Sequence, residues 1–229
     1  MTQSLTSLIS PQPGIEIDYF TAPPTAPPSI NNSEEGLRSC QECMKKLDSN
    51  PEAYLKYDGY LVACYSDHPL IYELRNKSDI ISNKAQIMGI FQASVLYALN
   101  SASEDRKIAI LTSGKAWERI LDEAIYKFFN GRGVIDQEAT IKLPSFFLPT
   151  LSAGVDVLKL AEPVNYEILK ARIRSMAEKK ASVILLGCAG LATLDGKFSA
   201  DFPDLTFVDS VKAGIELLSA HVKFASYLN

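Results

Sequence analysis

The chain has 229 residues, 47% of them hydrophobic and 22% charged, enough to bury a full core without disulfides or metal and unlike a disordered or collagenous chain. Lys plus Arg number 23 against 27 for Asp plus Glu, a formal net charge of -4 with no concentrated basic stretch, which argues against a nucleic-acid partner. The densest apolar run, Val183 to Ala192, is about half the roughly 20 residues a membrane span needs, and the N-terminus lacks a basic-then-apolar export signal.

A cytoplasmic protein with four reduced cysteines, Cys40, Cys43, Cys64 and Cys188, is therefore expected. In chain order, periodicity and breakers predict a helix over Thr2 to Ile9, a strand over Ile15 to Phe20 and a helix over Ser33 to Asp48. A strand over Gly59 to Cys64, a helix over Pro69 to Asn76 and a strand over Ala85 to Gly89 follow. Then come a helix over Ile90 to Ser101, a strand over Lys107 to Thr112, a helix over Lys115 to Asn130 and a weaker strand over Glu138 to Leu143. The series closes with a helix over Pro163 to Lys180, a strand over Ser182 to Gly187, a strand over Leu205 to Val208 and a helix over Val211 to Ala225. This alternation implies parallel βα units with helices on both faces of a sheet. The Pro-rich Thr21 to Ser29, after the strand expected to end at Phe20, reads as a stiff connection or as a binding loop at the sheet's carboxyl edge. The long loop Pro144 to Val155 reads as a lid or a domain edge.

An internal echo organises the chain. Lys56 to Ser66 (KYDGYLVACYS) and Lys179 to Gly190 (KKASVILLGCAG) each run from a polar lead-in through an apolar strand to a cysteine. Two similar halves would each present one thiol at the carboxyl edge of a parallel strand, where open α/β sheets bind ligands. Either cysteine could equally be a small buried hydrophobe. The strand-end position of both, and the small neighbours Gly187, Ala189 and Gly190, favour a ligand approached closely by backbone.

A cysteine opening a helix feels the positive end of its dipole, which lowers the thiol pKa from about 8.5 toward neutrality. One thiolate and one thiol flanking a carbon acid could then take a proton from one face and return it to the other, which is racemisation without a cofactor. Thr112-Ser113-Gly114, between a strand and a helix, offers hydroxyls and N–H groups to a carbonyl, or simple N-caps. Cys40-Gln41-Glu42-Cys43 is an isolated CxxC in a helical stretch, read as two surface or half-buried positions rather than zinc ligands. Gly187-Cys188-Ala189-Gly190 lacks the full spacing of a nucleophile elbow, and the one histidine after it, His221, has no carboxylate beside it in sequence. His68, four residues after Cys64, reads as a surface loop residue or a tuner of that thiol. Neither GxGxxG nor GxxxxGK[ST] occurs, so no nucleotide cofactor is indicated.

With these segments in place, the chain resembles the aspartate/glutamate/hydantoin racemase superfamily, in its hydantoin and allantoin racemase branch. Val62-Ala63-Cys64-Tyr65-Ser66-Asp67 is similar to the branch's IACFxD segment, and Leu186-Gly187-Cys188-Ala189-Gly190 matches its LGCAG. Pro27-Pro28-Ser29-Ile30, Gly89-Ile90, Leu111-Thr112 and Val208-Asp209 agree more weakly. The resemblance covers essentially the whole length. It implies an α/β fold of two similar lobes, each a parallel sheet flanked by helices, with the active site in the cleft between them. The first lobe would comprise residues 1–85 plus 210–229 and carry Cys64; the second, 86–209, would carry Cys188. Cys64 and Cys188 would be the acid/base pair, their sulfurs on the order of 6 to 8 Å apart across the substrate. Ile30, Tyr65, Ser66, Thr112, Ser113, Gly187, Ala189 and Gly190 would contact that substrate.

The same resemblance implies a small-molecule substrate, a hydantoin-type ureide ring such as allantoin, no cofactor, and a homo-oligomer acting in nitrogen metabolism; no metal, nucleic-acid or membrane partner is expected, on the cysteine spacing, charge and apolar run lengths given above. The other chemistry considered is a thiol-dependent isomerase or decarboxylase of a small dicarboxylate, similar to maleate isomerase. A catalytically silent ligand-binding protein on the same fold is the alternative from outside enzymology. Lys and Arg are absent beside both cysteine motifs, which favours a neutral ring over a dicarboxylate. Family members begin with a strand leading into Asn-Pro-Asn-Thr or Asn-Pro-Asn-Ser, whereas this chain starts in what reads as the following helix. A form with about 10 to 15 upstream residues, one strand and its turn, is thus expected to be more stable and more active. The proline after Cys64 also falls one position later than in the common form.

Overall fold

The computed structural model describes residues 13–131, 140–156, 162–192 and 194–228, together with Ile9, Gly133, Asp136 and residues 159–160. The helix expected over Thr2 to Ile9 lies outside the described residues apart from Ile9. The elements in order are α1 (Ser33–Ser49), α2 (Pro51–Tyr54), β1 (Gly59–Val62), α3 (Leu70–Arg75), α4 (Ser78–Ser82), β2 (Gln86–Gly89), α5 (Ile90–Leu99) and β3 (Lys107–Thr112). They continue with α6 (Ala116–Asn130), β4 (Leu151–Ser152), α7 (Pro163–Glu178), β5 (Ala181–Leu186), a 3-10 turn (Ala189–Leu191), α8 (Asp195–Asp201), β6 (Thr206–Asp209) and α9 (Ser210–Tyr227).

The strands form two parallel sheets, β1-β2 and β4-β3-β5-β6. In the larger sheet the side-chain alternation of strands sorts residues onto two faces. Ile108 and Ile110 of β3 join Val183 and Leu185 of β5 in one cluster, with Trp117, Leu121 and Ile125 of α6. Ala109, Leu111, Ile184 and Leu186 face the other way, onto Leu169, Ile173 and Met176 of α7. Burial on both faces explains why these strands read as unbroken apolar runs. Helix α5 is apolar around most of its circumference, and it packs on both sheets and on α9. It therefore fills the junction between the sheets, with Ile90, Phe91 and Val95 essentially inaccessible to solvent.

Helix starts follow local chemistry. At α1, Asn32 accepts from the Glu35 N–H at 2.9 Å while the Glu35 carboxylate accepts from the Asn31 N–H at 2.7 Å, a reciprocal cap. Pro163 opens α7. Asp209 caps α9 by accepting from the N–H groups of Val211 and Lys212 at 2.8 and 3.1 Å.

Several expectations are corrected. Residues 15–20 form no strand: Ile15 and Ile17 are half-buried, the intervening positions face solvent, and no described strand pairs with them. The described part of the weaker strand, residues 140–143, is irregular. Pro144 to Val155 is the edge of the larger sheet instead of a lid, because it contributes β4 and a bridge between Phe147 and Ile108. Two α6 carboxylates take the place of ladder partners along that edge. Glu118 accepts from Ser152 N–H at 3.0 Å and Asp122 from Thr150 N–H at 2.8 Å. Strand β2 pairs with β1, Gly59 opposite Gln86 through Val62 opposite Gly89, so the lobe boundary expected at residue 86 falls within one sheet. Cys40 and Cys43 are buried because α1 places Gly36, Cys40, Cys43 and Leu47 on one inward stripe.

Candidate active site

Cys64 and Cys188 each lie two residues beyond the last residue of a parallel strand, Val62 of β1 and Leu186 of β5, and so at the carboxyl edge of different sheets. Cys188 is 8% exposed. Cys64 is densely surrounded yet keeps partial contact with solvent. The two thiols lie within electrostatic reach of each other: a charge on Cys64 raises the pKa of Cys188.

Among the described residues, each sulfur has one hydrogen-bonding partner. The Ser66 hydroxyl is 3.4 Å from the Cys64 sulfur, held there by a tight turn in which Ser66 N–H donates to the Cys64 carbonyl at 2.9 Å. The Gly190 N–H donates to the Cys188 sulfur at 3.4 Å. Burial nevertheless dominates both sites. It pushes Cys188 up to about 11, with the Gly190 N–H acting in the opposite direction, and it raises Cys64 against the Ser66 hydrogen bond. The expected lowering toward neutrality is not found. Cys188 precedes only a three-residue 3-10 turn and Cys64 precedes an irregular loop, so neither thiol caps a helix long enough to supply a useful dipole. Among the described residues, no Lys or Arg is one of the groups that shift either thiol.

The loops carrying the thiols are pinned. Thr112 Oγ1 donates to the Gly187 carbonyl at 2.9 Å, and Gly187 N–H donates to the Leu111 carbonyl at 2.8 Å. A side chain at Gly187 would meet Ile110 Cγ2 at 2.6 Å and the Leu111 carbonyl oxygen at 2.9 Å, so the residue before Cys188 has to be glycine. Thr112 and Ser113 do not cap α6, which starts without a side-chain cap. The Ser113 carbonyl instead accepts from Gly154 N–H at 2.8 Å.

Among the other expected contact residues, Ala189 lies in the 3-10 turn with Gly190, beside Cys188. Tyr65 is 5% exposed, its ring edge-on to Phe91 and its hydroxyl 3.1 Å from Ser94 Oγ, so it forms a wall under the loop. Ile30 is half-buried against the central core. His68 is 3% exposed rather than a surface residue; burial holds its imidazole at about 4, and its Nδ1 accepts from Leu70 N–H at 3.2 Å.

Sequence reasoning left Asp67 and Gln92 without roles. Asp67 accepts from the Tyr72 hydroxyl and from Gln92 Nε2, the latter at 3.0 Å, and so ties the Cys64 loop to α3 and α5. A lone glutamine within the apolar IFQASVLYAL was the available signal. The CxxC thiols have no zinc-site company, since no group of three His, Cys, Asp or Glu among the described residues could hold a metal.

Two parallel-sheet lobes, each offering a thiol at its carboxyl edge, define an α/β protein of the racemase type. The chain belongs to the Asp/Glu/Hydantoin racemase family, whose model matches residues 1–218. It is 30% identical to Protein DCG1 of Saccharomyces cerevisiae over 237 residues, covering 99% of this chain and 93% of the yeast protein. Its fold is similar to that of allantoin racemase from Klebsiella pneumoniae, with a TM-score of 0.75 at 19% identity over 98% of this chain and 81% of the other. Allantoin racemase from Pseudomonas fluorescens gives a TM-score of 0.73 at 20% identity over 98% and 84%. No helix among the described residues is long and apolar enough to cross a membrane.

Proposed function

We propose that this racemase-family protein inverts the stereocentre of a hydantoin-type ureide ring such as allantoin, using Cys64 and Cys188 as a two-base pair without a cofactor. The observation that carries this reading is the placement of two thiols at the carboxyl edges of parallel strands in different sheets, β1 and β5, with a charge on Cys64 felt at Cys188. The proposed lobes are the β1-β2 sheet with α9 and the β4-β3-β5-β6 sheet, and the substrate enters between them. That no cationic group among the described residues acts on either thiol suits a neutral ring better than a dicarboxylate.

The hydrogen on carbon 5 of such a ring is flanked by a carbonyl, so its removal leaves a delocalised enolate. One cysteine as thiolate takes this proton and becomes a thiol. The opposite thiol then delivers its own proton to the other face and becomes the thiolate. The product is the mirror-image ring, and the two cysteines have exchanged protonation states. Burial keeps both thiols protonated near neutral pH, so the active form is the minority carrying one thiolate. Ser66 and the Gly190 N–H are the donors that hold that charge. The protein is proposed to act as a homo-oligomer in the cytoplasm, in the use of ureide nitrogen.

The test follows the circular dichroism of single-enantiomer allantoin with and without the protein. Faster decay of the optical signal at constant allantoin concentration is expected. A decay no faster than the uncatalysed one, or one matched by ring opening, overturns the reading.

A further inference from the structure

A cavity of about 470 Å³ lies among β2, α3, α5, α6 and α9, with neither thiol in its lining. Its volume is in the range of sites for small molecules. Three cationic or protonatable side chains reach it from three helices: Arg75 of α3, Lys127 of α6 and His221 of α9. Arg75 uses one donor on the Ile87 carbonyl at 3.0 Å and lays its guanidinium over the Tyr72 ring at 5.7 Å, which fixes its position while leaving further N–H groups. Lys127 and His221 have no ion-pair partner among the described residues. The one carboxylate in the lining, Asp67, is already engaged by Tyr72 and Gln92. Arg75 and Lys127 outnumber that carboxylate, so the cavity is locally cationic in a chain whose net charge is -4. The rest of its wall carries the amides of Gln86 and Gln92 beside an apolar part formed by Met88, Phe91, Leu96 and Phe128.

We propose that this cavity binds a small organic carboxylate with an apolar body, the carboxylate on Lys127, Arg75 and His221 and the body against Phe91 and Phe128. The recognition is that of a charge-assisted contact at one end and apolar burial at the other. The ligand spans both lobes, since β2 and α3 belong with the sheet before Cys64 and α6 packs on the sheet before Cys188. It also touches Asp67, three residues from Cys64 in the same loop.

The experiment is isothermal titration with a matched pair of probes, N-carbamoyl-methionine and the uncharged hydantoin formed from it by ring closure. Proteins compared are the wild type, Lys127→Glu, His221→Glu and the Cys64→Ser/Cys188→Ser double variant, each checked by thermal melting. The open-chain acid is expected to bind wild type and double cysteine variant alike, and to bind both charge-reversed variants at least tenfold more weakly. The ring-closed probe is expected to show no dependence on Lys127 or His221. Absence of acid binding to the wild type, equal affinity in folded Lys127→Glu and His221→Glu, or loss of binding in the double cysteine variant each overturns the proposal. The double cysteine variant separates this site from the racemase reading, because binding survives there whatever the thiols catalyse.

Discussion

The Thr112 hydroxyl reaches across from the end of β3 to donate to the carbonyl of Gly187, 75 residues later, at 2.9 Å. This one bond joins the strand ends on which the Cys188 loop rests, and both of its partners are buried. Thr112→Val keeps the shape and leaves a buried carbonyl without its donor. A loss of about 1 to 3 kcal/mol is expected in urea unfolding, with Thr112→Ser close to wild type. Equal midpoints for Val and Thr would remove this bond from the account.

Gly187→Ala is expected to be worse than a core truncation of similar size. The added methyl group meets the Leu111 backbone oxygen at 2.9 Å, and a backbone atom cannot swing aside as a side chain can. Overpacking of this kind costs about 1 to 3 kcal/mol, and the accompanying shift moves Cys188. The prediction is a stability loss with a larger proportional loss of turnover. A variant with wild-type melting and turnover would contradict it.

The positions of these strand ends were readable in the amino-acid pattern because buried parallel strands leave an unambiguous apolar run. Lys107 to Thr112 was expected and found with the same bounds, and the expected Ser182 to Gly187 shifted by a single residue to Ala181–Leu186. The cysteines followed, since their placement depends only on where a strand stops. Residues 15–20 misled because an alternating apolar and polar pattern states which face is buried, and strand formation also needs a neighbour to pair with. Helices α2, α4 and α8 were missed, each at most seven residues long and too short for a 3.6-residue period to emerge. The thiol environments were illegible for another reason. Burial outweighs a single hydrogen-bond donor at each of these sites, the Ser66 hydroxyl or the Gly190 N–H, and the depth of a strand end depends on what packs over it.

That burial sets the pH dependence of the proposed reaction. With Cys188 pushed up to about 11 and Cys64 also raised, the thiolate fraction of the unliganded protein grows through the alkaline range. The logarithm of kcat/KM is expected to climb by nearly one unit per pH unit from neutrality to about pH 9. A plateau between pH 7 and 8 would mean that a thiolate already exists there.

His68 makes the opposite prediction for stability. Its folded-state value of about 4 lies below the ordinary 6.5, so the unfolded chain binds the extra proton first. The contribution is fully present above pH 6.5 and is lost as pH falls through about 4, on the order of 3 kcal/mol in all. His68→Asn, which keeps an acceptor near the Leu70 N–H, is expected to flatten the acid limb of the melting curve. An unchanged limb would place the acid sensitivity elsewhere.

The two-base account is tested most directly by following solvent deuterium into each enantiomer of allantoin with wild type, Cys64→Ser and Cys188→Ser. Wild type is expected to racemise and to label both enantiomers. Each single variant is expected to lose racemisation, and exchange of one enantiomer, opposite in the two variants, is the pattern that assigns one thiol to each face. Racemisation that persists in either variant at a rate near wild type would contradict the account.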